Sequence, residues 1–366
     1  MNRYYFKSIH NEKIKGVKLH HIQLPREIIV KEKAILEIPK LLKRLNDYQS
    51  LLLVLGMKTR ELIGRKTLDL LTDNDYKSNC VYVEKSDHST LERIKKHAKL
   101  VKADLIIGIG GGKNIDMAKA VASFLKAPYI SVPTILSHDG IASNRAVISK
   151  GKKKYPILTS PPLAIVADLN IISKAPHRFF AAGCGDVIAK KTSVLDWQLA
   201  KYEKNETYDD YAANLAYLSA DLIIRNAKDY DKDYKSSIKL LLKTLITCGI
   251  AMIITESSRP CSGAEHMFCH TIDKLLPENK ALHGEKVALG TYIMSFLHGI
   301  DHEEIREALV SYKLPTNHKE IDVPSEILIR ALSTAHKSRT DKRYTILRNG
   351  IKKDIAEKVL KKLEII

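Results

Sequence analysis

Hydrophobic and polar positions alternate in two ways along the first half of this 366-residue chain. Short apolar runs bounded by glycine, proline or polar residues are typical of buried parallel strands. Such runs predict strands at 51–56, 80–85, 103–112 (which ends in a glycine loop), 128–134, 144–149 and 162–169. Apolar residues at helical spacing predict helices at 59–71, 89–101 (with Ser89 or Thr90 as N-cap) and 114–125. This alternation predicts a mostly parallel sheet covered on both faces.

The pattern changes near residue 174, and helical periodicity continues to the C-terminus. Helices are predicted at 179–203, 211–228, 236–256, 261–276, 284–299, 302–312, 325–337 and 352–366. In the last of these, Ile355, Val359 and Leu363 share one apolar face. The predicted fold is an α/β N-terminal domain with a Rossmann-like parallel sheet, residues 1–173, followed by an all-α domain, residues 174–366. Pro176 lies near this boundary, where it can open a helix.

Basic residues dominate the charge balance, since 60 Lys and Arg against 42 Asp and Glu give a formal net charge of +18. Such a charge is typical of nucleic-acid binders, but also of enzymes with a solvated Lys-rich surface that act on anions. The one dense basic run, 150–154, is interpreted as an exposed hairpin turn. The 16 tyrosines are scattered rather than interleaved with basic residues. An enzyme without a nucleic-acid partner is therefore preferred, and a basic nucleic-acid-binding protein is the remote alternative.

Several features predict a soluble, cytoplasmic protein. The five cysteines form no CxxC pair, which argues against a disulfide framework. The N-terminal stretch has no apolar core of a signal peptide. The longest uncharged apolar run, 244–255, is too short to cross a bilayer and predicts a buried helix without membrane insertion.

Four glycines follow the strand that ends near residue 110. Gly108, Gly110, Gly111 and Gly112 lead directly into a helix, and we call residues 108–112 the glycine loop. Glycine lets a backbone approach a ligand closely, and a helix N-terminus offers amides to an anion. The loop matches neither the common dinucleotide pattern nor Walker A, but its density of glycines favours phosphate or pyrophosphate binding. Asp116, one turn further on, either complements the helix dipole or contacts a sugar hydroxyl.

Polar residues follow the next predicted strand, in residues 134–144, which we call the exit loop. Thr134, Ser137, Asp139 and Ser143 lie there. In open α/β sheets, ligands bind at the carboxyl ends of the strands. These residues are therefore candidate cofactor and substrate contacts, although each alone would more often be a turn residue.

Three histidines raise the question of a metal site. His266 and His270 are four residues apart and share one helix face, and His283 precedes another helix. Asp186 follows a Gly-Cys-Gly segment, interpreted as a turn, in apolar surroundings, where a carboxylate must be paired or coordinate something. Asp with two or three His and an open position fits catalytic Zn²⁺ or Fe²⁺.

Two other interpretations of these histidines stay open on spacing alone. The spacing of His266 and His270 also arises by chance on helix surfaces. A structural zinc site could instead combine these two histidines with Cys261 and Cys269. One helix would then carry almost all ligands, which suits a tetrahedron poorly.

The motifs taken together resemble a known family. The segments GIGGGKNIDMAKA, SVPTILSHDGIASNRAVI, AGCGDVIAKKTSVLDW, SSRPCSGAEHMFCHTID and LHGEKVALGT occur in this order. As a set they resemble the sn-glycerol-1-phosphate dehydrogenases of archaea. That family belongs to the group of glycerol dehydrogenase, 3-dehydroquinate synthase and the iron-dependent alcohol dehydrogenases, which implies a dehydroquinate synthase-like fold.

The resemblance implies roles for individual residues. Contacts with NAD(P)H are implied for Gly112, Lys113, Asn114, Ile115, Asp116, Thr134, Ile135, Leu136, Ser137 and Ser143. One Zn²⁺ per subunit is implied at Asp186, His266 and His283. Substrate contacts are implied for Asp139, Asp186 and His270, with His270 as the catalytic residue.

The implied reaction is the zinc-assisted, NAD(P)H-dependent reduction of dihydroxyacetone phosphate to sn-glycerol 1-phosphate. The metal would act as a Lewis acid on the ketone oxygen, and metal-bound water or His270 would deliver a proton. Arg259 is the candidate for the substrate phosphate, on charge and proximity. The product would supply archaeal membrane phospholipids, and the enzyme is expected to be a homo-oligomer. The alternative is a glycerol or polyol dehydrogenase of the same fold, and the choices between NAD and NADP and between zinc, iron and nickel stay open.

Overall fold

A computed structural model describes residues 21–46, 48–151, 153–339 and 343–366. The strands are β1 (Glu27–Lys31), β2 (Ser50–Gly56), β3 (Lys77–Val83), β4 (Leu105–Gly110), β5 (Tyr129–Pro133), β6 (Arg145–Lys150), β7 (Lys153–Leu158) and β8 (Ala164–Asp168). Six of them form one parallel sheet in the order β1-β8-β5-β4-β2-β3. The other two, β6 and β7, pair as an antiparallel hairpin.

Helices surround this sheet and make up the C-terminal half. They are α1 (Ile38–Leu45), α2 (Met57–Thr59), α3 (Arg65–Thr72), α4 (His88–Leu100), α5 (Gly112–Leu125), α6 (Leu169–Ile172), α7 (His177–Ile188), α8 (Lys190–Lys204), α9 (Asp210–Asn226), α10 (Tyr234–Thr255), α11 (Ala264–Leu275), α12 (His283–His298), α13 (His302–Ser311), α14 (Ser325–Thr334) and α15 (Lys353–Lys362). A π-helical segment, Arg60–Gly64, joins α2 to α3.

The predicted fold class is confirmed, because a parallel sheet with helices precedes a half without strands among the described residues from 177 onward. The inner strands β4, β5 and β8 are buried along their whole length, which explains their continuous apolar runs. The described part of the basic run at 150–154 fits the predicted hairpin turn, since Lys150 pairs with Lys153 and Gly151 has φ 59°. The predicted domain boundary falls between α6 and α7.

One strand of the sheet was missed. The edge strand β1 pairs only with β8, and its side chains alternate between half-buried and exposed. Its apolar run covers only residues 28–30 between charged residues, which is shorter than the run of about four to eight expected of a strand.

Three local predictions need correction. The N-cap of α4 is Asp87, whose carboxylate accepts from the Thr90 amide at 2.8 Å, rather than Ser89 or Thr90. The predicted helix at 179–203 is two helices, α7 and α8. In α15 the side chain of Ile355 is exposed, while Ala356 and Leu360 join the core.

The largest hydrophobic cluster spans both halves of the chain. It joins Leu136 and Ile141 of the exit loop to Phe180 of α7 and Leu241 of α10. By length and composition α10 could cross a membrane, but 67% of its most apolar window is buried, which is typical of a core helix. The exit loop is therefore held between the sheet and the helical half.

Candidate active site

Three helices bring one carboxylate and two imidazoles together. Asp186 lies near the end of α7, His266 in the first turn of α11 and His283 at the first position of α12. One ligand atom from each lies within 4.8 Å of the others. His266 Nε2 lies 3.4 Å and His283 Nε2 3.9 Å from the same atom, Asp186 Oδ1. The three side chains converge on one point, as the ligands of a divalent metal do.

Close packing of α7 against α12 makes this convergence possible. A Cβ atom at Gly284 would lie 1.8 Å from the Ala182 carbonyl oxygen. One at Gly185 would lie 2.6 Å from the Gly284 carbonyl oxygen. The segment 183–185, interpreted as a turn from the sequence, lies inside α7. Gly185 allows close packing against α12, and Gly183 allows close approach of the exit loop, where a Cβ atom would lie 2.3 Å from the Leu136 carbonyl oxygen.

The second ring nitrogen of each imidazole has its own partner. His266 Nδ1 lies 2.8 Å from Glu265 Oε1, and His283 Nδ1 lies 3.5 Å from Cys269 Sγ. Glu265 is fully buried and also accepts from the Thr192 hydroxyl at 2.9 Å. A carboxylate on the far nitrogen of a histidine is a recurrent support of metal-binding imidazoles. Both Nε2 atoms are thereby directed at Asp186, so the donor set fits a divalent metal.

The pKa values of Asp186 and His283 favour the forms that coordinate a metal. Burial by itself raises the pKa of Asp186, but the Lys190 ammonium and the hydrogen bond from His266 outweigh it and hold that pKa well below its ordinary value. Burial, followed by the neighbouring His266, holds the pKa of His283 well below its ordinary value. A carboxylate and a neutral imidazole are the forms that bind a metal. Burial lowers the pKa of His266, but its hydrogen bonds to Asp186 and Glu265 raise it above its ordinary value, so a metal would have to displace the proton of this imidazole.

A buried ammonium joins the exit loop to this set. Lys190, the first residue of α8, is fully buried, and its Nζ lies 2.9 Å from Asp139 Oδ2 and 3.2 Å from Asp186 Oδ1. The Asp139 amide donates to Asp186 Oδ2 at 2.9 Å. Burial lowers the pKa of Lys190, but the two carboxylates raise it well above its ordinary value, so the group is charged. The predicted substrate residue Asp139 thus contacts the predicted metal ligand Asp186.

The glycine loop lies beside the exit loop. Gly110 has φ 141°, and a Cβ atom there would lie 2.0 Å from Asn114 Nδ2. The Thr134 amide donates to the Gly110 carbonyl at 3.1 Å, which ties the two loops together.

Helix α5 begins at Gly112. The Asn114 and Ile115 amides donate to the Gly111 carbonyl at 3.0 and 3.2 Å. The amides of Gly112 and Lys113 are therefore the ones available to an anion. This is the arrangement that binds phosphate groups at helix N-termini.

Residues predicted to contact the dinucleotide on α5 have different surroundings. Lys113 is exposed, whereas Asn114 and Ile115 are buried. Asp116 Oδ2 accepts from the Val147 amide at 3.0 Å, so this carboxylate links α5 to β6. Its predicted contact with a sugar hydroxyl stays a prediction.

The exit loop is fastened to α5 by a second buried lysine. Lys119 Nζ donates to the Gly140 carbonyl at 2.5 Å, the Arg145 carbonyl at 2.8 Å and Ser143 Oγ at 3.3 Å. The remaining predicted cofactor residues of the loop are Leu136, which is buried, and Ile135 and Ser137, which are half-buried.

His138 lies between the glycine loop and the donor set. Its Nδ1 accepts from the Gly140 amide at 2.8 Å. A Cβ atom at Gly112 would lie 1.9 Å from His138 Nε2, and the ring centroid is 6.5 Å from that of His283. Helix α5 and the set of Asp186, His266 and His283 are thus separated by one imidazole.

His270 lies beside the converging set and outside it. Its ring centroid is 6.3 Å from that of His266 and 5.9 Å from that of His283. Among the described residues, its ligand atom groups instead with those of Cys269 and Asp273. The structure also argues against the structural zinc site that would use Cys261 and Cys269. Among the described residues, Cys261 belongs to neither group of candidate metal ligands, and its thiol donates to the Cys248 carbonyl. The structure gives no support to a structural zinc site at Cys261.

Arg259, the candidate for the substrate phosphate, is buried and already paired. Its Nε donates to Glu206 Oε1 at 2.5 Å, its Nη2 pairs with Glu206 Oε2, and its Nη1 donates to the Tyr344 carbonyl at 2.8 Å. Every nitrogen of the guanidinium therefore has a partner within the chain. This arrangement favours a structural role.

Replacement of Arg259 by Met is expected to lower the free energy of unfolding by about 2 kcal/mol, because it leaves Glu206 unpaired in a partly buried position. The loss is smaller than for a fully buried pair because the Glu206 side chain is 36% exposed. Chemical denaturation measures this difference. The control is Arg44→Met, which breaks an exposed pair with Glu27 and should cost less than about 1 kcal/mol. A stable Arg259→Met enzyme with a strongly raised KM for a phosphorylated substrate would return Arg259 to phosphate binding.

Four contributing residues were missed by sequence analysis. Two left a readable signal, since Lys190 is one helical turn from Asp186 and Glu265 is adjacent to His266. The other two, Lys119 and His138, act through contacts with distant backbone groups, for which spacing carries no signal.

Comparison with known proteins places the fold in a class. A family model described as "Iron-containing alcohol dehydrogenase" matches residues 29–176. A glycerol dehydrogenase structure from Schizosaccharomyces pombe superposes with a TM-score of 0.77 at 18% identity, over 95% of this chain and 91% of that one. An iron-containing alcohol dehydrogenase from Thermococcus thioreducens gives 0.74 at 15% identity, over 94% and 99%. The chain therefore has the fold of the iron-containing alcohol dehydrogenases.

Relatives at higher identity narrow the class. A glycerol-1-phosphate dehydrogenase [NAD(P)+] of Methanosarcina mazei is 41% identical, over 94% of this chain and 96% of its own length. The enzyme of the same name from Thermococcus kodakarensis is 40% identical, over 94% and 98%. The chain belongs to the glycerol-1-phosphate dehydrogenase family, which confirms the resemblance read from the motifs.

Proposed function

We propose that this chain reduces dihydroxyacetone phosphate to sn-glycerol 1-phosphate with NAD(P)H, at a zinc site formed by Asp186, His266 and His283. The observation that carries the proposal is the contact between Asp139 and Asp186, which joins the loop beside the dinucleotide helix to the metal-ligand set. The name shared by the relatives supports the choice of substrate. The product would enter membrane phospholipids, and the enzyme is expected to be a cytoplasmic homo-oligomer without nucleic acid or membrane insertion.

The cofactor would bind across the glycine loop and the exit loop. Its pyrophosphate would accept from the first-turn amides of α5, where glycine allows close approach. Lys113 is exposed in that turn and adds a positive charge. The ties from Thr134 to Gly110 and from Lys119 to Gly140 hold both loops in one arrangement before the cofactor binds.

The helical half would supply the reacting groups. Zn²⁺ held by the three converging residues would supply Lewis acidity where negative charge develops on the carbonyl oxygen during hydride transfer. His270, adjacent to both ligand imidazoles, would hold the proton that reaches the product hydroxyl. Asp139 would orient the substrate, since its carboxylate is fixed by Lys190 next to the ligand set.

Oxidation of NADH and of NADPH with dihydroxyacetone phosphate tests this proposal, on metal-stripped protein with and without added Zn²⁺. We expect turnover that depends on zinc, a product of sn-glycerol 1-phosphate configuration and a lower kcat/KM for unphosphorylated dihydroxyacetone. A higher kcat/KM for the unphosphorylated ketone would contradict the proposal and indicate a polyol dehydrogenase. The matched pair His270→Ala and His266→Ala separates proton delivery from metal binding, because only the second should reduce zinc content.

A further inference from the structure

One ammonium serves two carboxylates at the centre of the site. Lys190 is fully buried, and it contacts both Asp139 Oδ2, at 2.9 Å, and Asp186 Oδ1, at 3.2 Å. The two aspartates are also in direct contact, through the Asp139 amide and Asp186 Oδ2. A third carboxylate and two imidazoles lie nearby, so this is a crowded set of potential metal ligands in which one member carries a positive charge.

Asp139 and Asp186 differ in how they face the two histidines. Asp186 Oδ1 is directed at both imidazole Nε2 atoms, within 3.4 and 3.9 Å. Asp139 is adjacent in space, but its side-chain oxygen is directed at Lys190. A divalent cation attracts any free carboxylate within reach, because carboxylate oxygen is a common ligand of such ions. Something must therefore hold Asp139 back if it is to orient a substrate and not bind the metal.

Loss of the Lys190 ammonium would leave Asp139 and Asp186 without the positive charge that they share. Asp186 is buried and the Asp139 side chain is 17% exposed, and two carboxylates that share one ammonium repel each other once it is removed. Without Lys190, a metal ion bound by Asp186 would take the place of the ammonium beside Asp139, since the other nearby cation, Lys119, is bonded to two backbone carbonyls. Asp139 is the first residue of a short 3₁₀ turn, Asp139–Ile141, and is not embedded in a long helix. A small adjustment of this turn would therefore bring the Asp139 carboxylate to a metal ion held by Asp186.

We propose that Lys190 is a positioning residue that keeps the Asp139 carboxylate out of the coordination shell of the metal. A catalytic zinc site needs an open position for its substrate. By pairing with Asp139, Lys190 preserves that position for the carbonyl oxygen. This inference rests on the metal site of the proposed function and specifies how that site stays open.

Metal binding without substrate tests the inference in the intact chain. The variants are Lys190→Gln, Asp139→Asn and the double variant, with Lys190→Arg as the control that keeps the charge. The probes are Zn²⁺ affinity by chelator competition and the visible absorption of bound Co²⁺, whose intensity falls as ligands are added. Gln is chosen because its amide can still donate to one of the carboxylates.

Lys190→Gln is expected to bind Zn²⁺ about tenfold more tightly because Asp139 is added as a ligand, which is opposite in sign to the usual loss when a group outside the ligands is removed. Its Co²⁺ absorption should weaken, since Asp139 joins as an added ligand. Asp139→Asn and Lys190→Arg should resemble the native chain in both measurements. The double variant should return to native affinity and absorption, because no carboxylate is left to join. If a variant is unstable without metal, it can be refolded in the presence of Co²⁺, and the absorption of the bound Co²⁺ is then measured in the same way.

Weaker zinc binding in Lys190→Gln would overturn the inference and make Lys190 a support of Asp186. Tighter Zn²⁺ binding with unchanged Co²⁺ absorption would overturn the inference too. Lys190 would then weaken metal binding only by repelling the cation, and not by holding Asp139 away from it. A native chain that binds no zinc would overturn both this inference and the metal part of the proposed function. A native chain that binds zinc but does not reduce dihydroxyacetone phosphate would leave these measurements valid and overturn only the choice of substrate.

Discussion

Replacement of Asp186 by Asn is expected to lower kcat/KM by about 10³-fold, because it removes the several kcal/mol that a metal ion contributes to the transition state. Asp186 Oδ1 is the one atom that both imidazole Nε2 atoms approach, so the amide removes the shared anionic ligand. Lys190 keeps a partner in Asp139, which limits the damage to the fold. Steady-state kinetics and the zinc content of the purified variant measure the effect.

A second measurement and a control variant check that the effect of Asp186→Asn is specific to the candidate metal site. NADH binding, followed by its fluorescence, should change little, since the glycine loop and α5 lie on the other side of His138. The control variant is His88→Ala, which removes an exposed histidine at the start of α4. An Asp186→Asn enzyme with native turnover and no zinc would show that the converging set is not the catalytic centre.

Replacement of Gly284 by Ala is expected to lower the free energy of unfolding by about 3 kcal/mol or more, the upper range for overpacking. The added Cβ atom would lie 1.8 Å from the Ala182 carbonyl oxygen, which is backbone and cannot rotate away. Helices α7 and α12 would have to separate. Since they carry Asp186 and His283, zinc affinity should fall together with stability.

The matched control for this substitution is Gly299→Ala at the other end of α12. Gly299 has φ 70° and open space around it, so alanine there meets backbone strain alone, of about 1 kcal/mol. Chemical denaturation with and without Zn²⁺ compares the two. Equal losses for both variants, or unchanged zinc affinity in Gly284→Ala, would contradict the view that helix contact builds the site.

Much of the fold could be predicted because its signals are local. The inner strands lie under helices on both faces, so they appear as unbroken apolar runs, and α10 appears as a long apolar helix. The edge strand β1 was missed because its apolar run, residues 28–30, is short, whereas the other edge strand, β3, was predicted. The cap of α4 was misplaced by two or three residues because Asp87, Ser89 and Thr90 all suit the position.

The candidate site was predicted in its residue types and not in its geometry. Motif resemblance named Asp186, His266 and His283, and the structure brings these three within 4.8 Å, although their role as ligands stays a prediction. Arg259 was a reasonable choice by charge and proximity, but its partner Glu206 is far along the chain and cannot be inferred from spacing.

The sequence by itself determined the inner strands, most of the long helices and the glycine loop at the start of α5. These follow from periodicity and composition over a few neighbouring residues, whereas the candidate metal ligands came from the resemblance of the motifs. Only the tertiary structure decided that Gly183 and Gly185 pack within a helix and that Lys190 joins Asp139 to Asp186. Such contacts depend on how distant elements pack, and packing is set by the shape and charge of whole surfaces that no local pattern contains.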